Sequence, residues 1–302
     1  MTPVEWFLLV ILGAVWGGTF FFNAIALPEV PPLTVIAFRV SLAGVLLWIY
    51  ILMAGVAIPR ELKVWGAVGV MAIANTVVPF FFIAWGQLHI TSGLAAILIA
   101  SSPLYAVVAA HFFTSDERMT SGKLAGVVSG ITGVVFLIGP GVLKGLGADL
   151  LGQIAIVGAA LCYAGSAIYG RRFARWKVSP RFMATGQMTL AALIMLPCAL
   201  ILEQPWSLPL PSFQAWGAML GLAVLATALG YLIYFRILGS AGAVNILLVN
   251  FLVPVSALLL GIFILGEELT AEQGVGMAFI AFGLALIDGR IFARLRSMGK
   301  AR

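Results

Sequence analysis

Long apolar runs dominate the chain, and the short gaps between them are rich in polar residues, proline and glycine. A helix needs about 20 mostly apolar residues to cross the roughly 30 Å hydrocarbon core of a bilayer. Transmembrane barrel strands are about half as long and alternate apolar with polar positions, which these runs do not. The pattern therefore predicts an all-α integral membrane protein. Its ten transmembrane helices are predicted at approximately Trp6–Leu27, Leu33–Gly55, Val64–Leu88, Gly93–Phe113, Lys123–Ile138, Leu150–Tyr169, Phe182–Leu202, Trp216–Leu238, Gly242–Leu265 and Gly274–Ile287.

Composition points to lipid as the solvent of this protein. Of 302 residues, 62% are hydrophobic and 9% are charged, whereas soluble domains carry about 25% charged residues. This excludes an ordinary soluble enzyme, a nucleic-acid-binding protein and a disordered chain. The first span is predicted to be an uncleaved helix rather than a signal peptide. Although Ala24-Ile25-Ala26 resembles a cleavage site, the first five residues carry no positive charge.

The basic residues are strongly biased toward one face of the predicted bundle. With ten spans, both termini lie on the same face. The loops and tail of that face contain Arg60, Lys63, Arg118, Lys123, Arg171, Arg172, Arg175, Lys177, Arg181, Arg236, Arg290, Arg294, Arg296, Lys300 and Arg302. The opposite face receives Lys144 alone. Cytoplasmic loops carry an excess of Lys and Arg, so we predict a multi-pass protein of the bacterial inner (plasma) membrane with both termini in the cytoplasm. The net charge of +6 therefore indicates anionic lipid, not nucleic acid.

The two halves of the chain resemble each other at a spacing of about 150 residues. The matching pairs are Trp16-Gly17 with Tyr163-Ala164, Trp65-Gly66-Ala67 with Trp216-Gly217-Ala218, Pro103 with Pro254, Gly126 with Gly276 and Gly133 with Gly283. Each half holds five spans, and an odd number places the second half in the membrane upside down relative to the first. We therefore predict two inverted five-helix repeats, residues 1–143 and residues 144–302, the second ending in a short basic tail. Inverted repeats are typical of secondary transporters.

These residues resemble the drug/metabolite transporter superfamily in its EamA branch. The resemblance covers nearly the whole chain and includes the duplicated proline of spans four and nine, the Glu-x-x-Thr sequences that begin at Glu117 and Glu267, Trp16-Gly17, and Phe38-Arg39. It implies a central cavity lined by the first four helices of each half, with spans five and ten packed outside. Within the superfamily, overall similarity is to bacterial inner-membrane exporters of aromatic amino acids.

Polar and aromatic residues in the middle of spans are the candidates for substrate binding, because polar groups in hydrocarbon must face protein or water. Arg39 is the only charged residue well inside a span, and it suits a substrate carboxylate; a structural arginine is the alternative. The other candidates could instead tie helices together or anchor them in the bilayer. They are Trp16, Phe20, Asn75, Ser101, Ser102, Tyr163, Tyr231, Asn245 and Asn250.

Helix-breaking residues occupy matching places in the two halves. Pro79 in span three corresponds to Gly230 in span eight, and Pro103 in span four corresponds to Pro254 in span nine. Proline frees a carbonyl and permits a kink. We predict that these four residues serve gating, with ordinary helix curvature as the alternative.

Several kinds of chemistry find no support in the sequence. No acid lies in the middle of a span, no Walker A sequence occurs, and His89 and His111 have no metal-ligand spacing. Cys162 and Cys198 fit small packing residues. We therefore predict no metal, no cofactor and no catalytic residues. The expected partners are a small-molecule substrate and the lipid bilayer, in a monomer or homodimer. A stripe of glycines on span five serves either internal packing or a dimer face.

Together these features predict a transporter, not an enzyme, that exports small amphipathic metabolites by alternating access. Aromatic and other apolar amino acids are the expected substrates. The missing intramembrane acid favours facilitated movement down a gradient, with ion coupling through another route as the alternative. The alternatives are a lipid-modifying membrane enzyme, an exporter of cationic drugs, and a channel.

Overall fold

The computed structural model describes residues 1–114, 118–143, 148–246 and 248–288, and within these ranges its regular elements are all helical. We number the main helices α1 (Pro3–Ala26), α2 (Pro32–Met53), α3 (Leu62–Gly86), α4 (Ser92–Phe113), α5 (Ser121–Leu143), α6 (Ala148–Arg175), α7 (Pro180–Leu202), α8 (Phe213–Ser240), α9 (Val249–Leu265) and α10 (Ala271–Asp288). The first eight contain segments long and apolar enough to cross a membrane, and α9 and α10 are shorter apolar helices. The predicted all-α, ten-helix fold class is confirmed.

Some features on which the sequence predictions drew lie outside the described residues. These are Glu117 of the first Glu-x-x-Thr sequence, Lys144, and the basic tail beyond residue 288. The boundary between the halves at residues 143 and 144 also adjoins such a segment, so this division stays a prediction.

Local chemistry at the helix starts explains where several helices begin. At α1, the Glu5 backbone N–H donates to the Thr2 hydroxyl at 3.3 Å, and the Thr2 backbone N–H donates to the Glu5 carboxylate at 2.7 Å. This reciprocal cap satisfies two backbone donors that the helix itself leaves unpaired. Pro3, Pro32 and Pro180 stand at the first position of their helices, where the missing N–H of proline costs nothing.

Side-chain contacts assign the helix ends to two faces. We call the face where α1 begins the amino-terminal face. There the Lys63 ammonium at the start of α3 lies 4.8 Å from the Trp176 ring centroid just beyond α6. At the opposite face, the Gln87 side chain after α3 donates to the Phe20 carbonyl near the end of α1 at 2.9 Å. Successive helices therefore run in alternating directions, as a ten-span bundle requires.

Helix α5 packs along α10, and the two lie beside the other eight helices. Their backbones approach closely at glycines. A Cβ atom added to Gly126 would lie 2.6 Å from the Gly283 carbonyl oxygen, and one added to Gly283 would lie 2.5 Å from the Gly126 oxygen. Small residues permit such close contact between membrane helices. At these positions, the glycine stripe on α5 therefore serves packing within the chain.

Candidate functional site

A central cavity of about 540 Å³ lies among the eight helices other than α5 and α10. This volume is within the range of small-molecule binding sites. Each of α1 to α4 and α6 to α9 contributes to the wall, as the family resemblance implies. The two halves of the chain therefore enclose one cavity between them, and neither half encloses it alone.

The cavity reaches toward the amino-terminal face. Phe173 near the end of α6, Pro180 at the start of α7 and Leu238 near the end of α8 line this part of it. All three positions are helix ends of the amino-terminal face. The cavity therefore runs from the middle of the bundle toward that face.

Three carboxylates hold the opposite face together by capping helices that are distant in sequence. Glu203, after α7, accepts hydrogen bonds from the Leu33 and Thr34 backbone N–H groups at 2.9 and 2.6 Å. Glu267, after α9, accepts from the Ser92 and Gly93 N–H groups at 2.8 and 2.9 Å. Negative charge at a helix N-terminus is favourable, because it meets unpaired N–H groups and the positive end of the helix dipole.

Glu29 forms the third of these caps. It lies in the α1–α2 loop and accepts from the Ser212 backbone N–H and hydroxyl, both at 2.6 Å, at the start of α8. These two hydrogen bonds hold the pKa of the Glu29 carboxyl below its ordinary value, and the bond from the Ser212 hydroxyl contributes most. The three caps join α1–α2 to α8, α7 to α2, and α9 to α4, and they hold helix ends together at the end of the bundle away from the amino-terminal face.

Arg39 is buried in the cavity wall, with 7% of its surface exposed. Its Nε donates to the Thr227 hydroxyl at 2.8 Å, and its guanidinium carbon lies 4.0 Å from the Phe80 ring centroid. In the described part of the chain, no Asp or Glu forms an ion pair with it or lines the cavity. A buried charge without an opposite charge is costly. The geometry therefore supplies a cationic position that an anionic group in the cavity would satisfy.

Two π-helical segments interrupt α3 and α8 at matching places in the two halves. They are Ile73–Val77, just before Pro79, and Gly221–Leu229, just before Gly230. Thr227 occupies the second segment and donates its hydroxyl to the Leu222 carbonyl at 2.8 Å. Single π turns within helices are frequent at functional sites. The predicted gating positions Pro79 and Gly230 thus adjoin a local change of helix type.

Each π-helical segment is joined to the second helix of the other half. Arg39 on α2 donates to Thr227 in the segment of α8. Asn75 in the segment of α3 donates its amide N–H to the Gln187 side-chain oxygen of α7 at 3.0 Å. All four residues line the central cavity. Related contacts at related positions are what two inverted repeats around one cavity produce.

Aromatic rings form a large part of the cavity wall. Trp16 stacks on Tyr234 with centroids 5.7 Å apart, and Tyr231 stacks on Phe235 at 5.8 Å. Gly230 lies beneath Trp16, since a Cβ atom added there would be 2.6 Å from the indole Nε1. Flat apolar surfaces beside Arg39 suit a ligand with a ring or an apolar side chain.

The structure brings eight of the ten predicted binding residues to the central cavity. They are Trp16, Phe20, Arg39, Asn75, Ser102, Tyr163, Tyr231 and Asn250. Ser101 and Asn245 are placed elsewhere. The Ser101 hydroxyl donates to the Leu98 carbonyl at 2.6 Å, and the Asn245 amide donates to the Ala241 carbonyl at 2.8 Å. Both side chains thus bond to their own segment of backbone, which short polar side chains in helices commonly do.

The remaining predicted gating prolines differ in their surroundings. Pro103 stands at the second position of Ser102–Phe113, directly after the break that divides α4 beyond Ile99. Pro254 lies inside α9, with no interruption beside it. Ile99, Ala100 and Ser102 line the cavity at the α4 break. Interrupted helices at a midplane cavity are common in transporters. The gating roles themselves stay predictions.

Gln187, Thr227 and Tyr234 are cavity residues that the predicted binding set did not contain. Gln187 is buried to 4% exposure and Thr227 to 1%. Their signal in the sequence is the position of an amide or hydroxyl in the middle of an apolar span. That signal does not say which way a side chain points. Within the described ranges, no group of three His, Cys, Asp or Glu residues is placed to hold a metal ion.

Comparison with known proteins gives consistent matches along the whole chain. The EamA-like transporter family matches residues 4–139 and again residues 150–288. The uncharacterized inner membrane transporter YedA of Escherichia coli K12 is 29% identical over 92% of this chain and 89% of its own length. Protein PecM of Dickeya dadantii is 27% identical over 94% of this chain and 92% of its own. A solved crystal structure with a TM-score of 0.67 and 21% identity covers 95% of this chain and 96% of its own, and it shares the fold.

Proposed function

Because the chain belongs to the EamA-like transporter family of the drug/metabolite transporter superfamily, we propose that it exports small amphipathic carboxylates by alternating access. Aromatic and other apolar amino acids are the proposed substrate class. Membership makes the protein a membrane transporter, and it implies a small-molecule substrate and a lipid environment. The resemblance to the EamA branch that the sequence motifs indicated is confirmed.

The observation that carries the substrate proposal is the buried positive charge of Arg39, which meets no acidic side chain among the described residues, in a largely aromatic cavity. A substrate carboxylate would replace the missing counter-charge and form charge-assisted hydrogen bonds. The rings of Trp16 and Tyr231 would contact the apolar side chain of the same molecule. A cationic drug would meet the charge of Arg39 unfavourably, so this geometry favours amino acids over the alternative of cationic drugs.

The proposed direction rests on the distribution of positive charge. The predicted basic face is the amino-terminal face, toward which the central cavity reaches, and an excess of Lys and Arg marks the cytoplasmic side. We therefore assign the amino-terminal face to the cytoplasm of a bacterial inner membrane. In this arrangement the cavity loads from inside, while Glu29, Glu203 and Glu267 keep the outer end closed.

In the proposed mechanism, the central cavity closes at the inner face as it opens at the outer face. Substrate binding at Arg39 competes for the guanidinium that also bonds Thr227, and Thr227 bonds within the π-helical segment of α8. We infer that loading loosens this segment, so that the inner ends close as the outer caps release. No Asp or Glu stands among the cavity-lining residues described. This supports facilitated movement down the substrate gradient.

A flux assay in proteoliposomes tests the proposal. The wild-type protein should transport L-phenylalanine with saturable kinetics. Arg39→Gln should raise the KM for this carboxylate by about tenfold to a hundredfold, the value of one hydrogen bond to a charged group. The KM for phenethylamine, a cation that lacks the carboxylate, should not rise, because the variant also removes the charge that repels it. The matched control is Arg60→Gln, which removes an exposed charge of the amino-terminal face.

The other outcomes separate the alternatives. Flux that stays unsaturated as substrate rises would indicate a channel. Flux of cationic dyes without flux of amino acids would replace the substrate class. Chemical change of the vesicle lipids would indicate a lipid-modifying enzyme. If Arg39→Gln lost flux of phenylalanine and of phenethylamine equally, and Arg39→Lys lost flux as well, Arg39 would have a structural role.

A further inference from the structure

A second cavity, which we call the lateral cavity, lies at the amino-terminal face between the last turns of α4 and α6. Its volume is about 500 Å³. Gly170 on α6 lines the central cavity, whereas the neighbouring Tyr169 and Arg171 line the lateral cavity. Helix α6 therefore forms a wall between the two spaces. The lateral cavity has no place in the transport path proposed above.

One end of the lateral cavity is basic. Arg171, Arg172 and Arg175 line it within little more than one helical turn, and no acidic residue lines it among the residues that the structure describes, which here stop at Thr114 and resume at Arg118. The Arg172 guanidinium carbon lies 3.4 Å from the Tyr169 ring centroid, and its Nε donates to the Tyr169 carbonyl at 3.1 Å. These contacts fix the arginine beside the cavity. Planar guanidinium groups suit the oxygens of a phosphate.

The other end of the lateral cavity is apolar and lies deeper in the bundle. It is lined by Ala109, Gly165 and Ile168. Gly165 precedes Arg171 by six residues, which is about 9 Å along a helix. A Cβ atom added to Gly165 would meet no atom within 4 Å. Next to this space, Phe112 and Phe113 of α4 are 74% and 78% exposed. The apolar end therefore adjoins surface of the kind that faces acyl chains.

We propose that the lateral cavity binds one anionic phospholipid, with its phosphodiester at Arg172 and Arg175 and an acyl chain along Gly165 and Ile168. The argument for lipid over free phosphate is the combination of a basic end at headgroup depth with an apolar end at acyl depth. Basic pockets between helices at the cytoplasmic side are suited to anionic headgroups. A bound lipid would fill the space between α4 and α6 and stabilise the position of α6, the helix that separates the two cavities.

Lipid-dependent thermal stability tests this site in the purified full-length protein. In a neutral detergent, phosphatidylglycerol should raise the Tm of the wild type more than phosphatidylcholine does, because a ligand that binds the folded state stabilises it. The double variant Arg172→Gln/Arg175→Gln should lose most of this difference. The control Arg60→Gln/Arg236→Gln removes the same charge at exposed positions of this face outside the lateral cavity, and it should retain the difference.

A second variant tests the apolar end without touching charge. Gly165→Leu fills space that is open in the structure, so the fold should persist while the phosphatidylglycerol effect falls. Native mass spectrometry should show one retained phosphatidylglycerol on the wild type and none on Gly165→Leu. This measurement also serves if the double arginine variant fails to fold.

Three results would overturn the proposal. One is equal stabilisation by phosphatidylglycerol and phosphatidylcholine. Another is an equal loss of the phosphatidylglycerol effect in the control Arg60→Gln/Arg236→Gln, which would indicate non-specific attraction between the lipid and the positive charge of this face. The third is stabilisation by inorganic phosphate as strong as by the lipid, with Gly165→Leu unaffected, which would make the ligand a free anion. None of these outcomes depends on the transport assay.

Discussion

At the scale of single residues, a position in the middle of a span was a better guide to the cavity-lining residues than the type of residue. Arg39 is conspicuous because a charge in an apolar span must face something polar. In the structure it lines the central cavity. Ser101 and Ser102 are adjacent hydroxyls in the sequence, yet only Ser102 lines the cavity. Sequence could not separate them, because the break in α4 sets the direction of each side chain. Gln187 on α7 was missed because an amide in an apolar span does not show which way its side chain points.

Gly230 offers the sharpest single-residue prediction. Alanine at this position would place a Cβ atom 2.6 Å from the Trp16 indole nitrogen, so the ring must leave its place in the cavity wall. Overpacking of this kind costs about 1–3 kcal/mol. We expect Gly230→Ala to raise the KM for aromatic substrates by about fivefold or more.

The control for this variant is Gly217→Ala in the same helix. A Cβ atom at Gly217 meets nothing within 4 Å, so the flux kinetics of this variant should match the wild type. Unchanged KM in Gly230→Ala with reduced maximal flux alone would mean that the glycine serves gating and does not support Trp16.

At the scale of elements, the helices were predictable because most hydrophobic runs are long enough to identify by themselves, although α9 and α10 are shorter apolar helices. The interruptions were not. Proline and glycine in matching spans indicated flexible points, but the π-helical segments Ile73–Val77 and Gly221–Leu229 lie before these residues. Side chains of the two segments are hydrogen-bonded to partners from the other half, Thr227 to Arg39 and Asn75 to Gln187. No local pattern in the chain contains that information.

The carboxylate caps at the closed end give a prediction for whole elements. Glu267→Gln removes the negative charge at the start of α4 and should loosen the opposite face. A thiol reagent applied from that face should then label Ser102→Cys faster, in a background without Cys162 and Cys198. The control Glu268→Gln changes an exposed neighbour and should leave the labelling rate unchanged.

The same closed face should respond to pH through Glu29. Its pKa is lowered by the hydrogen bonds from Ser212, so the cap contributes fully above the ordinary carboxyl pKa and is lost as pH falls through the lowered value. Acidifying the opposite face should therefore speed labelling of Ser102→Cys in the wild-type background, once each rate is divided by that of a fully exposed cysteine at the same pH, because protonation of the thiol slows labelling everywhere. Glu29→Gln should remove part of this pH response. A labelling rate that falls at low pH after this correction would contradict the assignment of these caps to closure.

At the scale of the whole molecule, the internal repeat predicted the layout of the bundle. The glycines shared by spans five and ten could not be assigned to internal packing or a dimer face from one sequence. The structure resolves this for Gly126 and Gly283 by setting their backbones against each other. The cavity then lies between the halves, where the first four helices of each half surround it. Because the two halves are related, a carrier of this kind can close the same cavity at either face by similar helix movements.

The central claim is that one cavity opens to the two faces in turn, and accessibility of Ser102→Cys from both faces tests it most directly. Without substrate, an impermeant thiol reagent should label this cysteine from the amino-terminal face and hardly from the opposite face. During transport of L-phenylalanine, labelling from the opposite face should rise and labelling from the amino-terminal face should fall in proportion. Simultaneous fast labelling from both faces, or labelling that substrate never changes, would contradict the account.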